Sequence, residues 1–380
     1  MNVYENAALY ELLRMALDDG CSPRFFTHRL NEREWRNLRA VCHKQQLDAV
    51  VNRAIVHLPK DQQPPIQLMY QWAIEAETVK GHNKLLNSMA AKLTEDFTAH
   101  GRKTAILKGA ANARLYPDPF MRQAGDIDLW VEGGRESVVA LVKEMGHKIT
   151  EKDVSAHHIH VCDAASGVTL EFHFSAAVGT INPIAKARVL RYLNTEILNA
   201  KLVPEGFYAP SIKFALIMQL LHVMHHFFSV GIGFKQIVDY YILLKQSSEE
   251  ERREVSALLS QFGLKSFCRA MMWIMGHVFG LEPEKMLCRP NEKSGPKVLT
   301  EIYCGGHFGF FKNNGKPETY KNGLDRWLKY KWSYIRQFWV APGEIIWHEI
   351  KYWFAFIGTI PQRIKLRRLV LTDIKKITNE

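Results

Sequence analysis

Thr104-Ala105-Ile106-Leu107-Lys108-Gly109-Ala110 and, after fifteen intervening residues, Asp126-Ile127-Asp128-Leu129-Trp130-Val131 decide the reading of this chain. The first stretch is a short apolar strand ending in a Lys-Gly turn, and the second alternates as a strand does. Residues i and i+2 of a strand point to one side, so Asp126 and Asp128 project together while Ile127, Leu129 and Val131 are buried on the other face. Two carboxylates so placed repel one another unless a cation sits between them. Oxygen donors of this kind suit Mg²⁺, which takes one or two carboxylates plus phosphate oxygens of a substrate. A third acid, Glu171, lies on a strand expected over Thr169–Phe174, with His173 on the same side. Three carboxylates on neighbouring strands would hold two metal ions for in-line displacement at phosphorus. Lys108 and Arg122 flank the turn and would neutralise phosphate charge, beside backbone N–H groups at the start of the following short helix.

Working outward, the first hundred residues read as helices. Apolar residues recur near every 3.6 positions from Tyr4 to Leu17. Asn31 with Glu34 three positions on is a capping-box spacing that opens a helix over Glu32–Leu47. A long amphipathic run from Ile66 to Ala99 follows Pro64-Pro65. The core from Lys103 alternates short helices (Ala111–Tyr116, Glu136–Met145) with strands, the last two at His157–Cys162 and Thr169–Phe174. From Pro183 the pattern is helical again, at Ile184–Tyr192, Ile212–Phe228, Phe234–Lys245, Glu250–Phe262 and Lys265–Phe279. The Gly-, Pro- and Asn-rich stretch Glu282–Lys321 reads as a loop-rich joint, before helices at Leu324–Val340 and Gly343–Phe356 and a basic segment, Gln362–Ile377. The expected fold is α+β, a small mixed sheet with helical regions on both sides. Its expected units are 1–101, 102–182, 183–281 and 282–380.

Composition bounds the function. Of 380 residues, 47 % are hydrophobic and 23 % charged, which excludes a collagenous, low-complexity or wholly disordered chain. The six Cys form no C-x-x-C pair, and the N-terminus lacks a basic and apolar leader, so reduced thiols and a cytoplasmic location are expected. The most apolar stretch, Phe214–Phe234, is interrupted by Gln219, His222, His225 and His226, and fits a buried helical hairpin better than a membrane span. The P-loop, dinucleotide-binding and nucleophile-elbow motifs are all missing from the sequence.

The acidic pair after a strand, small-residue turn and helix, with a third acid on a later strand, resembles the polymerase-β-like nucleotidyltransferase superfamily. More closely, Ile106-Leu107-Lys108-Gly109, Leu115-Tyr116-Pro117, Arg122 and Gly125-Asp126-Ile127-Asp128-Leu129-Trp130-Val131 resemble the bacterial uncharacterised nucleotidyltransferase family. So does the later run from Leu221-His222-Val223-Met224-His225-His226 through Gly231 and Lys235 to Val238-Asp239-Tyr240, which is similar to that family's helical half. The resemblance implies transfer of a nucleoside monophosphate from an NTP to an acceptor hydroxyl, with pyrophosphate released. It makes Asp126, Asp128 and Glu171 the catalytic acids and ligands of two Mg²⁺ ions, and Gly109 the phosphate turn. Ala110 stands where the wider superfamily often carries Ser. Lys108, Gly109, Ala110 and Arg122 would bind nucleotide, with His173, His222, His226, Lys235 and Asp239 as further candidates for the cleft wall.

Two features lie outside that scheme. His158 and His160 share a strand face, and His222 and His226 are i,i+4 on a helix, a spacing that binds Zn²⁺, although packed or hydrogen-bonded imidazoles are the commoner outcome. These pairs leave a metal-dependent phosphohydrolase as an alternative. The tail is the second. Between Lys312 and Glu380 there are 14 Lys/Arg and 6 Asp/Glu, most of the chain's net +11, and five of the nine Trp fall between Trp327 and Phe356. Basic, aromatic helices lie on anionic lipid, which places an anionic membrane surface among the expected partners. No RNA- or DNA-binding module is recognisable, so no specific nucleic acid is expected. A catalytically inactive protein that docks through this tail is the other alternative.

Overall fold

The computed structural model describes residues 7–18, 26–229, 231–305 and 322–365. A four-stranded mixed sheet is built from β1 (Thr104–Ile106), β2 (Asp126–Val131), β3 (His158–Cys162) and β4 (Thr169–His173), in the order β1-β2-β4-β3. β1 pairs antiparallel with β2, β2 parallel with β4, and β4 antiparallel with β3. The period of two divides the strands between two surroundings. Ile127, Leu129, Val131, Ile159, Val161, Leu170 and Phe172 join one apolar core. Ala105, Leu107 and Trp130, from the opposite face, join a second and larger one.

The first core is closed by α4 (Ile66–Ala99), through Leu86, Ala90, Leu93 and Phe97, and by α6 (Arg135–Glu144). Ahead of them lie α1 (Ala7–Ala16), α2 (Glu32–Gln45) and α3 (Asp48–Ile55). The expected capping box is present: Asn31 Oδ1 accepts from Glu34 N at 3.0 Å, and Glu34 Oε2 from Asn31 N at 2.8 Å. The helix expected over Glu32–Leu47 is broken at Gln46, whose left-handed φ of 55° ends α2 and lets α3 start. α5 is a single turn, Ala110–Ala113, shorter than expected.

The second core fills the helical half: α7 (Pro183–Glu196), α8 (Ile212–Phe228), α9 (Phe234–Gln246), α10 (Glu249–Leu258), α11 (Lys265–Phe279) and α12 (Gly295–Gly305). α8 and α9 pack as the buried hairpin anticipated from their composition. No helix among the described residues is long and apolar enough to cross a membrane. A small hairpin, β5 (Lys201–Leu202) and β6 (Tyr208–Ala209), lies against β1 and escaped sequence reading. The stretch expected to be a loop-rich joint contains α12, because Val298, Leu299 and Ile302 form an apolar stripe that buries against α11. Buried Gln45 ties these parts together, donating from Nε2 to Tyr303 O at 3.2 Å and accepting Phe234 N on Oε1 at 2.9 Å.

Two helices close the described chain, α13 (Gly323–Ile335) and α14 (Pro342–Lys365). Glu344, near the start of α14, is buried and accepts Ile181 N at 2.8 Å. It thereby ties the C-terminal helices to the loop after β4. Arg367, Arg368, Lys375 and Lys376 of the basic segment lie outside the described residues.

Candidate active site

Parallel pairing of β2 with β4 sets Asp128 directly beside Glu171, and Asp126 one step along the same face. Ligand oxygens of all three acids lie within 4.8 Å of one another. They open into a cleft of about 550 Å³ between the sheet and the α8–α9 hairpin. Exposure is graded, with side-chain values of 37 % for Asp126, 22 % for Glu171 and 1 % for Asp128.

Two cations stand among the acids. Lys108 leaves the end of β1 and places Nζ 2.5 Å from Asp128 Oδ2 and 3.2 Å from Asp126 Oδ2. His173 Nε2 lies 3.1 Å from Asp128 Oδ1 and 3.3 Å from Glu171 Oε2. Burial alone would raise the Asp128 carboxyl, but Lys108 and His173 outweigh it and hold it below the usual range. Glu171 opposes its own burial in the same way and is drawn down to about 2 by His173 and Lys108. Burial pulls Lys108 and His173 downward as well, yet the acids keep both above their ordinary values. Asp128 and Glu171 are therefore available as carboxylates at neutral pH.

The turn beneath them requires glycine. Gly109 has φ 63° and ψ −109°, a conformation that residues with a Cβ rarely adopt. Strand, glycine turn and acidic pair thus meet in space as their sequence spacing predicts, with the third acid delivered by a parallel neighbour.

A model of the family described as "uncharacterised nucleotidyltransferase" matches residues 31–280, well over half of the chain. The chain belongs to that family. No curated protein and no solved structure matches it. The α+β fold, a small mixed sheet within a mostly helical protein, agrees with membership, and the family name carries a general nucleotidyltransferase role.

Arg122, expected to meet phosphate, has its guanidinium fork filled by Asp239 of α9, Nε to Oδ1 at 2.7 Å and Nη2 to Oδ2 at 2.8 Å. Tyr116 Oη donates to the same Oδ1 at 2.7 Å. Asn83 Nδ2 holds the backbone there, donating to the carbonyls of Phe120 at 2.6 Å and Arg122 at 2.8 Å. Arg122 and Asp239 are both buried, so in this family member they form a clamp between the sheet half and the helical half, at the edge of the cleft. Asn112 and Gln219 make a second, longer link at 3.4 Å.

Lys235 and His222 line the cleft opposite the acids. Burial, followed by the nearby Arg122, lowers the Lys235 amine to about 7. Burial with Lys108 nearby keeps His222 well below its ordinary value, and burial with His225 brings His226 to about 4. The His222 and His226 rings are 4.3 Å apart, as i,i+4 neighbours should be. His157, His158 and His225 complete an imidazole-rich wall. Sequence reading weighed His158 as half of a strand-face pair; only the β3–β4 register brings it opposite His173. Asn112 was missed, since a single polar residue in a short helix carries no signal of its own; Tyr116, within the Leu115-Tyr116-Pro117 resemblance, was given no role at the cleft.

Proposed function

We propose that this protein transfers a nucleoside monophosphate from an NTP to an acceptor hydroxyl. The observation that carries the reading is the convergence of Asp126, Asp128 and Glu171 on one end of the sheet, in a family of nucleotidyltransferases. In the reaction, the acceptor oxygen attacks the α-phosphorus, the bond to the bridging oxygen breaks, and pyrophosphate leaves with its electron pair. The donor set fits Mg²⁺, being three hard carboxylate oxygens at the base of a cleft roomy enough for a triphosphate. Bound there, Mg²⁺ would neutralise the phosphates and polarise the phosphorus under attack.

The chain's own residues position and neutralise. Glu171, ionised at neutral pH, would take up the hydroxyl proton as the new bond forms. Lys108 exchanges its carboxylate partners for the triphosphate when nucleotide and cation enter. Gly109 and Ala110 bring the backbone close to the phosphates. Arg122 and Asp239 act as a clamp that holds the turn in place, and Lys235, with its amine lowered to about 7, supplies a positive charge opposite the acids once a bound triphosphate draws a proton onto it. Nucleotide binding with and without Mg²⁺ by wild type, Asp126→Asn and Asp128→Asn tests the reading. Metal-dependent binding near one nucleotide per chain, lost in both variants, is expected. A folded wild type that binds no NTP at millimolar concentration refutes it.

The partner surface is proposed to be an anionic bilayer. Ile346, Ile350, Trp353, Phe354 and Ile357 are exposed on one stripe of α14, and Leu324, Leu328, Trp332 and Ile335 on one stripe of α13. Charge complementarity favours anionic lipid as the occupant, because Arg363, Lys365, Arg367, Arg368, Lys375 and Lys376 follow these stripes in sequence. The helices would lie in the interface, their aromatic rings at headgroup depth.

A further inference from the structure

Besides the acid triad, the described residues hold two groups of metal-ligating side chains: His43 with Asp48 and Glu75, away from the cleft lining, and a second beside the triad itself. β3 runs antiparallel to β4 with His158 directly opposite His173 and His160 opposite Glu171. On the shared face, His158, Glu171 and His173 each offer a ligand atom, all within 4.8 Å of one another. Donors around a tetrahedral Zn²⁺ at ~2.1 Å stand about 3.4 Å apart, so the separations have to close by at most ~1.4 Å, within reach of side-chain rotation. The rings of His158 and His173 are 5.1 Å apart. Among the described residues, Nδ1 of each is buried without a hydrogen-bond partner. Buried polar atoms left in that condition call for an explanation, an unseen ion being one. His173 is itself only 8 % exposed; its Nε2 is engaged by Asp128 and Glu171, while its Nδ1 has no bulk water to satisfy it.

We propose that His158, Glu171 and His173 bind a borderline transition-metal ion of the Zn²⁺ class, next to the hard-cation site and bridged to it by Glu171. Nitrogen donors separate the two sites chemically. Imidazole suits Zn²⁺, Fe²⁺ or Ni²⁺, whereas the oxygen-only set of Asp126, Asp128 and Glu171 suits Mg²⁺. Two histidines and one carboxylate leave coordination positions open toward the cleft, which is the pattern of a catalytic ion and not of a sealed structural one. The proposal requires the observed register and no nucleotide chemistry, so it stands or falls apart from the transfer reading, with Glu171 the one residue common to both.

The test uses Co²⁺ and Zn²⁺ alone on the full chain, in excess Mg²⁺, with stoichiometry read by calorimetry and the Co²⁺ visible spectrum read for nitrogen ligation. Expected is one ion per chain, with affinity reduced at least ~10-fold in His158→Ala and His158→Gln and held in Asp126→Asn. His158 lies on a partly exposed strand position, and melting curves of the two His158 variants confirm that they fold. Co²⁺ or Zn²⁺ binding equal in wild type and both His158 variants overturns the proposal. So does displacement of the ion by the excess Mg²⁺, or loss that follows His222→Ala or His43→Ala instead. Loss of nucleotide binding in Asp126→Asn with Co²⁺ retained would separate this site from the triad; failure of NTP binding in wild type with Co²⁺ bound would refute the transfer reading alone.

Discussion

Replacing Lys108 by Met keeps the length of the side chain and removes the ammonium that lies 2.5 Å from Asp128 Oδ2 and 3.2 Å from Asp126 Oδ2. Asp128 has a side chain only 1 % exposed, so water cannot take the place of that charge. Breaking a buried ion pair by removing one partner costs ~3–5 kcal/mol; the low end applies here because His173 still reaches Asp128. Unfolding entropy of ~2.1 cal/mol/K per residue over 380 residues gives about 0.8 kcal/mol per degree. In EDTA, Lys108→Met should therefore melt ~4 °C below wild type. Saturating Mg²⁺ should narrow that gap. The ammonium competes with a cation for the same oxygens, so the variant should bind Mg²⁺ about tenfold more tightly, a gain of ~1.4 kcal/mol. At 100 times the dissociation constant a bound ion stabilises by ~2.7 kcal/mol, and the metal-induced rise in Tm should be larger in Lys108→Met than in wild type. Melting curves and Mg²⁺ calorimetry on both proteins check the two signs. A variant that melts with wild type in EDTA, or gains no more than wild type from Mg²⁺, refutes the argument that Lys108 neutralises the acids.

Three further outcomes are expected. Arg122→Met and Asp239→Asn should each lower Tm by several degrees, while the double variant is no worse than the poorer single, because removing both charges leaves none buried and unpaired; a normal Tm with nucleotide binding lost in Arg122→Met would make Arg122 a phosphate ligand. Lys235 has its amine lowered to about 7 by burial, so a bound triphosphate should draw a proton onto it at pH 7–8. Calorimetry in buffers of different ionisation heat would detect that uptake, and Lys235→Met should abolish it. The same variant should gain stability most at and below pH 7, where burying the charged amine is most unfavourable, and the gain should vanish toward pH 10.5 as the unfolded amine also loses its proton. Vesicles containing anionic lipid should retain the protein and neutral vesicles should not, with retention lost in Trp353→Glu/Phe354→Glu and weakened by salt.

Long periodic elements were legible from sequence because many residues vote for each. α4, α8 and α11 span the residues that their apolar spacing predicts, and the Asn31–Glu34 capping box marks the start of α2 to the residue. The acids were legible because a strand's period of two needs only local sequence to place Asp126 beside Asp128. What escaped lacks a local signature. α3 opens at Leu47 with no side-chain cap, β5 and β6 have two residues each, and α12 hides behind Gly295 and Pro296. Arg122 and Asp239 were each legible as candidates for the cleft, yet their partnership spans 117 positions. Nothing short of the packing of α9 against the turn reveals that each satisfies the other.

That partnership bears on how the site works. The acids belong to the sheet, while Lys235 and His222, which face them, belong to α9 and α8. Two halves joined only by apolar contact could slide or hinge to admit substrate. Here the Arg122 fork, the Tyr116 hydroxyl and Asp239 bind the halves through charge-assisted hydrogen bonds buried from water. A hinge that parted them would expose or strand a buried ion pair, at a cost of ~3–5 kcal/mol, comparable with much of the binding energy of a millimolar ligand, ~4 kcal/mol. Adaptation to substrate is then expected in parts the clamp does not hold. Lys108 can exchange partners by side-chain rotation alone. The loop after β4, whose Ala176–Gly179 stretch lines the cleft, is held at Ile181 by Glu344 of α14. The C-terminal helices proposed to rest on a bilayer are thus joined through the Glu344 carboxylate, which accepts from the backbone of Ile181 and Asn182, to a wall of the cleft, so a Glu344→Gln variant, which keeps an acceptor, should leave that wall in place while Glu344→Ala releases it.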